Sequence, residues 1–258
     1  MRWPAEAIWE AVSPQWPDFT VEVLPQIAST NSELMRRVRT GRCEPTLLVA
    51  EQQTAGRGRL GRDWHSQVGD SLTFSVSLPL APADWAGLSL AVGVSVAESL
   101  HPDIQLKWPN DLWLQGRKLA GVLIETAGAG EQRSVVVGVG INIAPRASEG
   151  LSTPPAWLQE LLPDVDAGAA LLRVAPPLLQ ALAAFQLAGL APFLPGFARR
   201  DLLCGNAVTL SNGTVGMARG VDVQGGLLLQ TPAGMQTVTS SEVSVRPAAP
   251  ATLGSTGA

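Results

Sequence analysis

Four short segments of this sequence hold residue types that could do chemistry on anions. The first is Gln53-Thr54-Ala55-Gly56-Arg57-Gly58-Arg59-Leu60-Gly61-Arg62. Its glycines let a backbone approach a ligand closely, and its three arginines supply planar forks matched to phosphate or carboxylate oxygens. A surface turn gains nothing from three mutually repelling guanidinium groups, so the segment points to an anion without saying which. Gly56, Gly58 and Gly61 have GxGxxG spacing, but no clear helix follows, so neither a dinucleotide turn nor a Walker A loop is indicated. The second segment, Lys107-Trp108-Pro109-Asn110-Asp111-Leu112, ends a strand in a tight bend, because Pro109 keeps Trp108 extended and Asn-Asp is turn chemistry. The third, Arg117-Lys118-Leu119-Ala120-Gly121-Val122-Leu123-Ile124-Glu125, sets Lys118 at the mouth of an apolar strand. The fourth, Gly138-Val139-Gly140-Ile141-Asn142-Ile143, puts Asn142 in a strand whose glycines mark close approach by a ligand or another backbone. Each segment alone also fits an ordinary structural part: a solvated loop, a hairpin corner, a snorkelling edge lysine, a bulge.

Composition narrows the field. Of 18 basic residues only Lys107 and Lys118 are lysine, and both fall in these segments, beside strand ends. The net charge of −4 and pI near 5.2 argue against a surface that binds nucleic acid as a whole. A local cluster exists nonetheless, with Arg36, Arg37, Arg39, Arg42, Arg57, Arg59 and Arg62 close together. Two cysteines and two histidines neither form a disulfide framework nor supply a usual zinc site. The N-terminus lacks a secretory h-region, and the apolar stretch 167–194 is interrupted by Arg173, Gln180, Gln186 and Pro176-Pro177, so a cytoplasmic protein without a membrane span is expected.

The elements that must position these segments can be read in outline. Residues 1–28 show no period. Thr30-Asn31-Ser32-Glu33 fits a capping box with Thr30 as N-cap, which predicts a helix over about 31–40 that stops at Gly41. Thr46–Ala50 reads as a strand, and Leu72, Phe74, Val76, Leu78 and Leu80 alternate as in a half-buried one. Residues 84–100 read as a buried helix. Ile104–Trp108, Leu119–Glu125 and Ser134–Ile143 follow as three apolar runs. Strands outnumber helices and stand in adjacent pairs, so a mixed or antiparallel sheet with packed helices is expected rather than a doubly wound one. A loop-like connection over 144–166 precedes a helix that should break or restart at Pro176-Pro177 and end near Gly189. Ala207–Leu210, Gly213–Arg219, Gly226–Gln230 and Gln236–Thr239 look like short strands of a small barrel-like unit that docks on the rest. Residues 248–258 have the composition of a disordered tail.

Taken together, the four segments resemble the biotin–protein ligases. GRGRLGR followed by Trp64, then KWPNDL, RKLAGVLIE and GVGINI, occur in that family's order and spacing, and Ser29-Thr30-Asn31, GLAPFL and RGVDVQGGLLLQ look like family segments too. The resemblance spans about 29–247 and implies an α/β (α+β) fold. That fold is a mixed-sheet, class II synthetase-like catalytic domain over 1–198 and a small C-terminal SH3-like β-barrel over 199–247. It implies two steps, biotin plus ATP giving biotinyl-5′-AMP with Mg²⁺, then transfer to a lysine of a biotin carboxyl carrier protein. By resemblance Ser29, Thr30, Asn31, Gln53, Gly56 and Gly58 belong to the biotin pocket, and Arg57 and Arg59 to the loop on the carboxylate and phosphate, with Arg62 as flanking cation. Trp64 shelters the adenylate, Lys118 binds carboxylate and α-phosphate oxygens beside Gly121, and Asn110 and Asn142 lie on the nucleotide side. Asp111 is the orienter or proton acceptor for the incoming amine. No metal ligands are implied among the side chains, and a homodimer is compatible with the resemblance.

Many family members carry an N-terminal winged helix-turn-helix that represses transcription. The 28 residues before Ser29 are too few for one, which predicts a ligase without DNA binding. The nearest rival is a lipoate or octanoate ligase, against which GRGR and KWPND favour biotin. A nucleic-acid or regulatory module built on the arginine cluster is the rival of another class.

Overall fold

A computed structural model of the chain describes residues 2–128, 133–145, 155–239 and 245–247. In chain order the larger elements of the first part are α1 (Ala5–Val12), β1 (Thr20–Ile27), α2 (Thr30–Arg39) and β2 (Thr46–Gln53). A two-stranded ribbon follows, β3 (Gly56–Arg57) with β4 (Asp63–Trp64), and then β5 (Ser71–Pro79), α3 (Leu88–Leu100), β6 (Gln105–Lys107) and β7 (Asp111–Leu114). The long strands β8 (Arg117–Ala127) and β9 (Ser134–Asn142) and helices α4 (Ala167–Ala188) and α5 (Leu194–Arg200) complete it. The remaining strands are β10 (Ala207–Leu210), β11 (Val215–Val221), β12 (Leu227–Thr231), β13 (Gly234–Val238) and β14 (Val245–Pro247).

Seven strands form one mixed sheet in the order β1-β2-β5-β9-β8-β7-β6. Only β1 and β2 run parallel; every other neighbour is antiparallel. The mixed sheet expected from the paired runs is therefore present. Its two faces differ in chemistry. One face carries Leu47, Val49, Leu72, Phe74, Val76, Leu78, Val135, Val137, Val139 and Ile141, all buried, and α3 and α4 lie against it. The opposite face carries Thr73, Ser75, Ser77, Gly138 and Gly140 at matching registers. There α2 packs Leu34, Met35 and Val38 onto Leu48 and Val136.

That second face corrects the expectation of a half-buried β5. The alternation is real, but Ser71, Thr73, Ser75 and Ser77 are buried as well. Two of these hydroxyls are satisfied inside: Thr73 Oγ1 donates to the Ala50 carbonyl at 3.0 Å, and Ser75 Oγ bonds Asn31, whereas the Ser77 hydroxyl is buried without a hydrogen-bond partner.

Other differences have local causes. The N-cap of α2 is Ser29, whose hydroxyl accepts from the Ser32 N–H at 3.3 Å; Thr30 is already helical. Glu33 does not close a capping box but bonds Arg36 and Arg37 along the helix. The C-terminus of α2 is as expected, with Gly41 at φ +84°, a conformation glycine adopts without strain. Helix α3 begins at Leu88, four residues later than its apolar pattern suggested. Helix α4 runs unbroken through Pro176 and Pro177. The prolines sit on its half-exposed side, and the carbonyls losing their partners belong to exposed Leu172 and Arg173, where water can serve instead. It ends before Gly189 as expected. Although long and apolar enough to cross a membrane, α4 buries Leu171, Val174, Leu178, Leu182 and Phe185 in the core. Neither α1 nor β1 was foreseen in the first 28 residues.

The four C-terminal strands are found close to their expected places, joined by β14, in a five-stranded antiparallel sheet ordered β13-β12-β11-β10-β14. This antiparallel five-stranded unit is the small C-terminal β domain that was expected. It docks on the main sheet as anticipated: Trp108 Nε1 donates to the Gly225 carbonyl at 2.9 Å, and Gly225 lies against Gly87, Leu90 and Leu190. The tail 248–258 lies wholly outside the described residues, and the connection over 144–166 falls partly outside them. Its described end is ordered by a bridge from Pro155 to Lys118 and a short 3₁₀ turn at Leu158–Glu160.

Candidate active site

A cavity of about 130 Å³ opens on the small-residue face of the sheet, between the N-terminus of α2, the β3–β4 ribbon and the starts of β7 and β8. Its lining includes Ser29, Thr30, Asn31, Gln53, Arg57, Gly58, Arg59, Arg62, Trp64, Asn110, Asp111, Lys118 and Gly121. Residues from four separate segments therefore meet in one place.

The floor is a connected chain of polar groups. Gln53 Oε1 accepts from the Thr30 N–H at 2.7 Å and from its hydroxyl at 3.0 Å. Thr30 and Ser75 hydroxyls are 2.7 Å apart, and Ser75 donates to Asn31 Oδ1 at 2.7 Å. Asn31 Nδ2 donates to Glu125 Oε2 at 2.9 Å, and the same oxygen takes Arg57 Nη2 at 2.7 Å. Such a network fixes the direction of each donor and acceptor presented to a ligand. Glu125 is its one acid, and it was missed as a site residue. The available signal was a carboxylate two positions beyond Leu123 on the same strand face as Gly121.

The strand glycines explain themselves through side chains. A Cβ on Gly138 would sit 2.3 Å from Asn31 Oδ1, and one on Gly140 would sit 2.4 Å from the Trp64 ring. One on Gly121 would sit 3.3 Å from Lys118 Nζ. The absence of side chains at these three points admits the asparagine, the indole and the ammonium onto the sheet.

The cationic wall is organised from both sides. Arg59, half withdrawn from solvent, donates to Asn110 Oδ1 at 3.2 Å, and Asn110 Nδ2 donates to the Val122 carbonyl at 2.7 Å. Burial pushes the Arg59 pKa down, Asp111 opposes this, and Arg62 adds to the depression. Lys118 Nζ pairs with Asp111 Oδ1 at 2.8 Å, and its ammonium lies 5.9 Å from the Trp64 ring centroid. The ribbon that carries the arginines turns at Leu60 and Gly61, both at positive φ, and Leu60 is exposed. Four cations lining one cavity suit a ligand with more than one negative group.

Two expected residues do not line the cavity. Gly56 pairs with Trp64 in the ribbon, where a Cβ would meet the Trp64 carbonyl at 2.4 Å, so it shapes the loop. Asn142 is buried at the end of β9 and donates to the Lys118 and Ala156 carbonyls at 3.2 and 2.9 Å. Its Oδ1 is buried without a hydrogen-bond partner, leaving an acceptor next to the segment that bears Lys118. Among the described residues no cluster of three or more His, Cys, Asp or Glu could hold a metal ion.

A mixed α/β sheet thus carries a pocket lined by arginines and a lysine under an Arg/Gly ribbon, and a small antiparallel sheet follows it. The Biotin/lipoate A/B protein ligase family matches residues 23–142, and the biotin protein ligase C terminal domain matches residues 206–246. The bifunctional ligase/repressor BirA of Escherichia coli is 38% identical over 241 residues, covering 89% of this chain and 75% of that one. The biotin–[acetyl-CoA-carboxylase] ligase of Mycobacterium tuberculosis is 35% identical over 243 residues, 86% of this chain and 88% of that one. The structure of biotin protein ligase from Aquifex aeolicus in complex with biotin and ATP has a TM-score of 0.76 at 32% identity, covering 88% of this chain and 99% of that one. The chain belongs to the biotin protein ligase family.

Proposed function

We propose that the protein joins biotin to a lysine of a biotin carboxyl carrier protein in two steps, and that both occur in this pocket. In the first, a biotin carboxylate oxygen attacks the α-phosphorus of ATP, the bond to the β-phosphate breaks, and pyrophosphate leaves. In the second, the carrier's lysine amine attacks the acyl carbon of the mixed anhydride and AMP leaves.

The observation that carries this reading is the meeting of a neutral polar floor with a cationic wall. The floor of Ser29, Thr30, Asn31 and Gln53 offers donors and acceptors to the ureido ring. Arg57, Arg59 and Lys118 face the carboxylate and α-phosphate, with Arg62 flanking. Bringing two anions together requires fixed positive charge that needs no reorganisation during the reaction. Trp64 covers the acyl phosphate against water, Asn110 faces the nucleotide, and Asn142, outside the cavity, holds the Lys118 backbone through its carbonyl. Asp111 is the carboxylate within reach for the proton of the incoming amine. Magnesium enters as the ATP complex, bridging its phosphates.

In this reading residues 1–198 form the catalytic unit and 199–247 a docked C-terminal unit. The working place is the cytoplasm, with neither DNA nor a membrane as partner, and a second copy of the chain can pair with the first. Biotin-dependent exchange of pyrophosphate into ATP isolates the first step. Lys118→Ala should lower it about 10²–10³-fold, the usual effect of removing one such charge-stabilising donor, with unchanged circular dichroism. Near-normal exchange would remove Lys118 from the reaction.

A further inference from the structure

The proposed reaction, on which this inference rests, makes an acyl adenylate that any free amine can consume. The chain itself offers few amines: its amino terminus, Lys107 and Lys118. In that reading Lys118 touches the oxygens on either side of the reacting carbon, so its own amine is the nucleophile nearest to hand. Acylation there would abolish the positive charge that the first step uses. We propose that Asp111, besides any part in receiving the carrier's proton, is the positioning residue that holds the Lys118 nitrogen in an ion pair and so denies it the role of acceptor.

The geometry supports this from several sides. Asp111 Oδ1 lies 2.8 Å from Lys118 Nζ, in a pair whose acid is largely buried and whose lysine is about one-third exposed. The backbone that carries the carboxylate is held in the sheet, Asp111 pairing with Lys107 on one side and Gly121 on the other. The turn before it is tied by Ser89 Oγ to the Pro109 carbonyl at 2.9 Å. The Trp64 ring adds a second preference for the charged form, since an aromatic face attracts an ammonium and not a neutral amine. Lys107 is treated alike, its Nζ lying 4.5 Å from the centroid of Trp113. Both ε-amines of the chain thus sit over tryptophan faces.

The suppressed step is a complete one. The Lys118 nitrogen lone pair would attack the acyl carbon and form an amide. The bond from that carbon to the phosphate oxygen would break, AMP would leave with the electron pair, and the surplus proton would pass to water.

The test supplies preformed biotinyl-5′-adenylate to the full-length protein without any carrier, and reads biotin on Lys118 by peptide mass. Asp111→Asn should acquire biotin at Lys118 about tenfold faster than wild type, the equivalent of losing an ion-pair contact of ~1.4 kcal/mol. Asp111→Glu, which restores the carboxylate, should stay close to wild type. Asp111→Ser serves the same comparison if the Asn variant does not melt cooperatively. An Asn or Ser variant that binds the adenylate yet is acylated at Lys118 no faster than wild type overturns the proposal, as does one that no longer binds it. Failure of the wild type to bind the adenylate at all would instead refute the function proposed above.

Discussion

Gly138→Ala probes the fit between the sheet and the pocket floor. The added methyl would lie 2.3 Å from Asn31 Oδ1 and 3.0 Å from its Cγ, where ordinary contact begins at 3.4 Å. The alternative of moving β9 is worse, because Gly138 is paired with Ser75 on one side and Leu123 on the other. Asn31 must therefore retreat by about 1 Å, which takes its bonds to Ser75 and Glu125, now 2.7 and 2.9 Å, past the ~3.5 Å limit. A neutral hydrogen bond contributes about 0.5–1.5 kcal/mol and one to a carboxylate about 1.5–3 kcal/mol. Replacing glycine returns about 0.4–1 kcal/mol through the unfolded chain. The net loss centres near 2.5 kcal/mol, or roughly 5–10 °C in Tm for a chain of this size. Biotin should also bind about tenfold more weakly, the equivalent of one lost hydrogen bond at ~1.4 kcal/mol. Thermal melts and titration calorimetry with biotin measure the two effects. A Tm within about 1 °C of wild type together with unchanged biotin affinity would refute the packing argument.

Gly140→Ala makes a similar intrusion on Trp64, but that indole rides on a short two-stranded ribbon and can swing out. Tm should change less than in Gly138→Ala while adenylate leaks to water faster, read as AMP release without carrier; unchanged leakage would count against Trp64 as a cover. The Glu33 carboxylate, bonded to Arg36 and Arg37, is lowered from 4.5 to about 2. A lowered carboxylate stabilises the fold above its unfolded pKa and loses that contribution as pH falls through its folded one. Glu33→Gln should therefore cost stability at pH 7, with the difference from wild type shrinking between pH 4.5 and pH 2; denaturant melts across that range decide it. Trp108→Phe removes the bond to the Gly225 carbonyl and should cost about 0.5–1.5 kcal/mol, read by chemical denaturation. No loss would show that the C-terminal sheet is held by apolar contacts alone.

The parts of the fold that sequence made plain are those where one force dominates. The apolar face of β5, the stop of α2 at Gly41 and the bend at Pro109-Asn110 each follow from local chemistry. What stayed hidden depends on what comes from elsewhere in the chain. A strand face of small hydroxyl residues cannot be told from a solvated one until α2 is known to cover it, as the buried Thr73, Ser75 and Ser77 illustrate. Pro176 and Pro177 break helices when their missing donors face the core, and here they face outward. Strand β1 was obscured by Pro25, which is tolerated because β1 is the edge of the sheet. In the site, the Gly and Arg residues and Lys118 were legible as an anion-binding set. The reason for Gly138 and Gly140 was not, since it lies in Asn31 and Trp64, more than 70 residues away in the chain. Glu125 was passed over because its partners, Asn31 and Arg57, are distant in sequence as well.

The central claim is tested most directly by incubating the protein with biotin, MgATP and an apo biotin carboxyl carrier domain and weighing the carrier. The account predicts one biotin joined by an amide to the carrier's acceptor lysine, dependent on ATP and absent when lipoate replaces biotin. A carrier of unchanged mass, or one modified by lipoate instead, would contradict it.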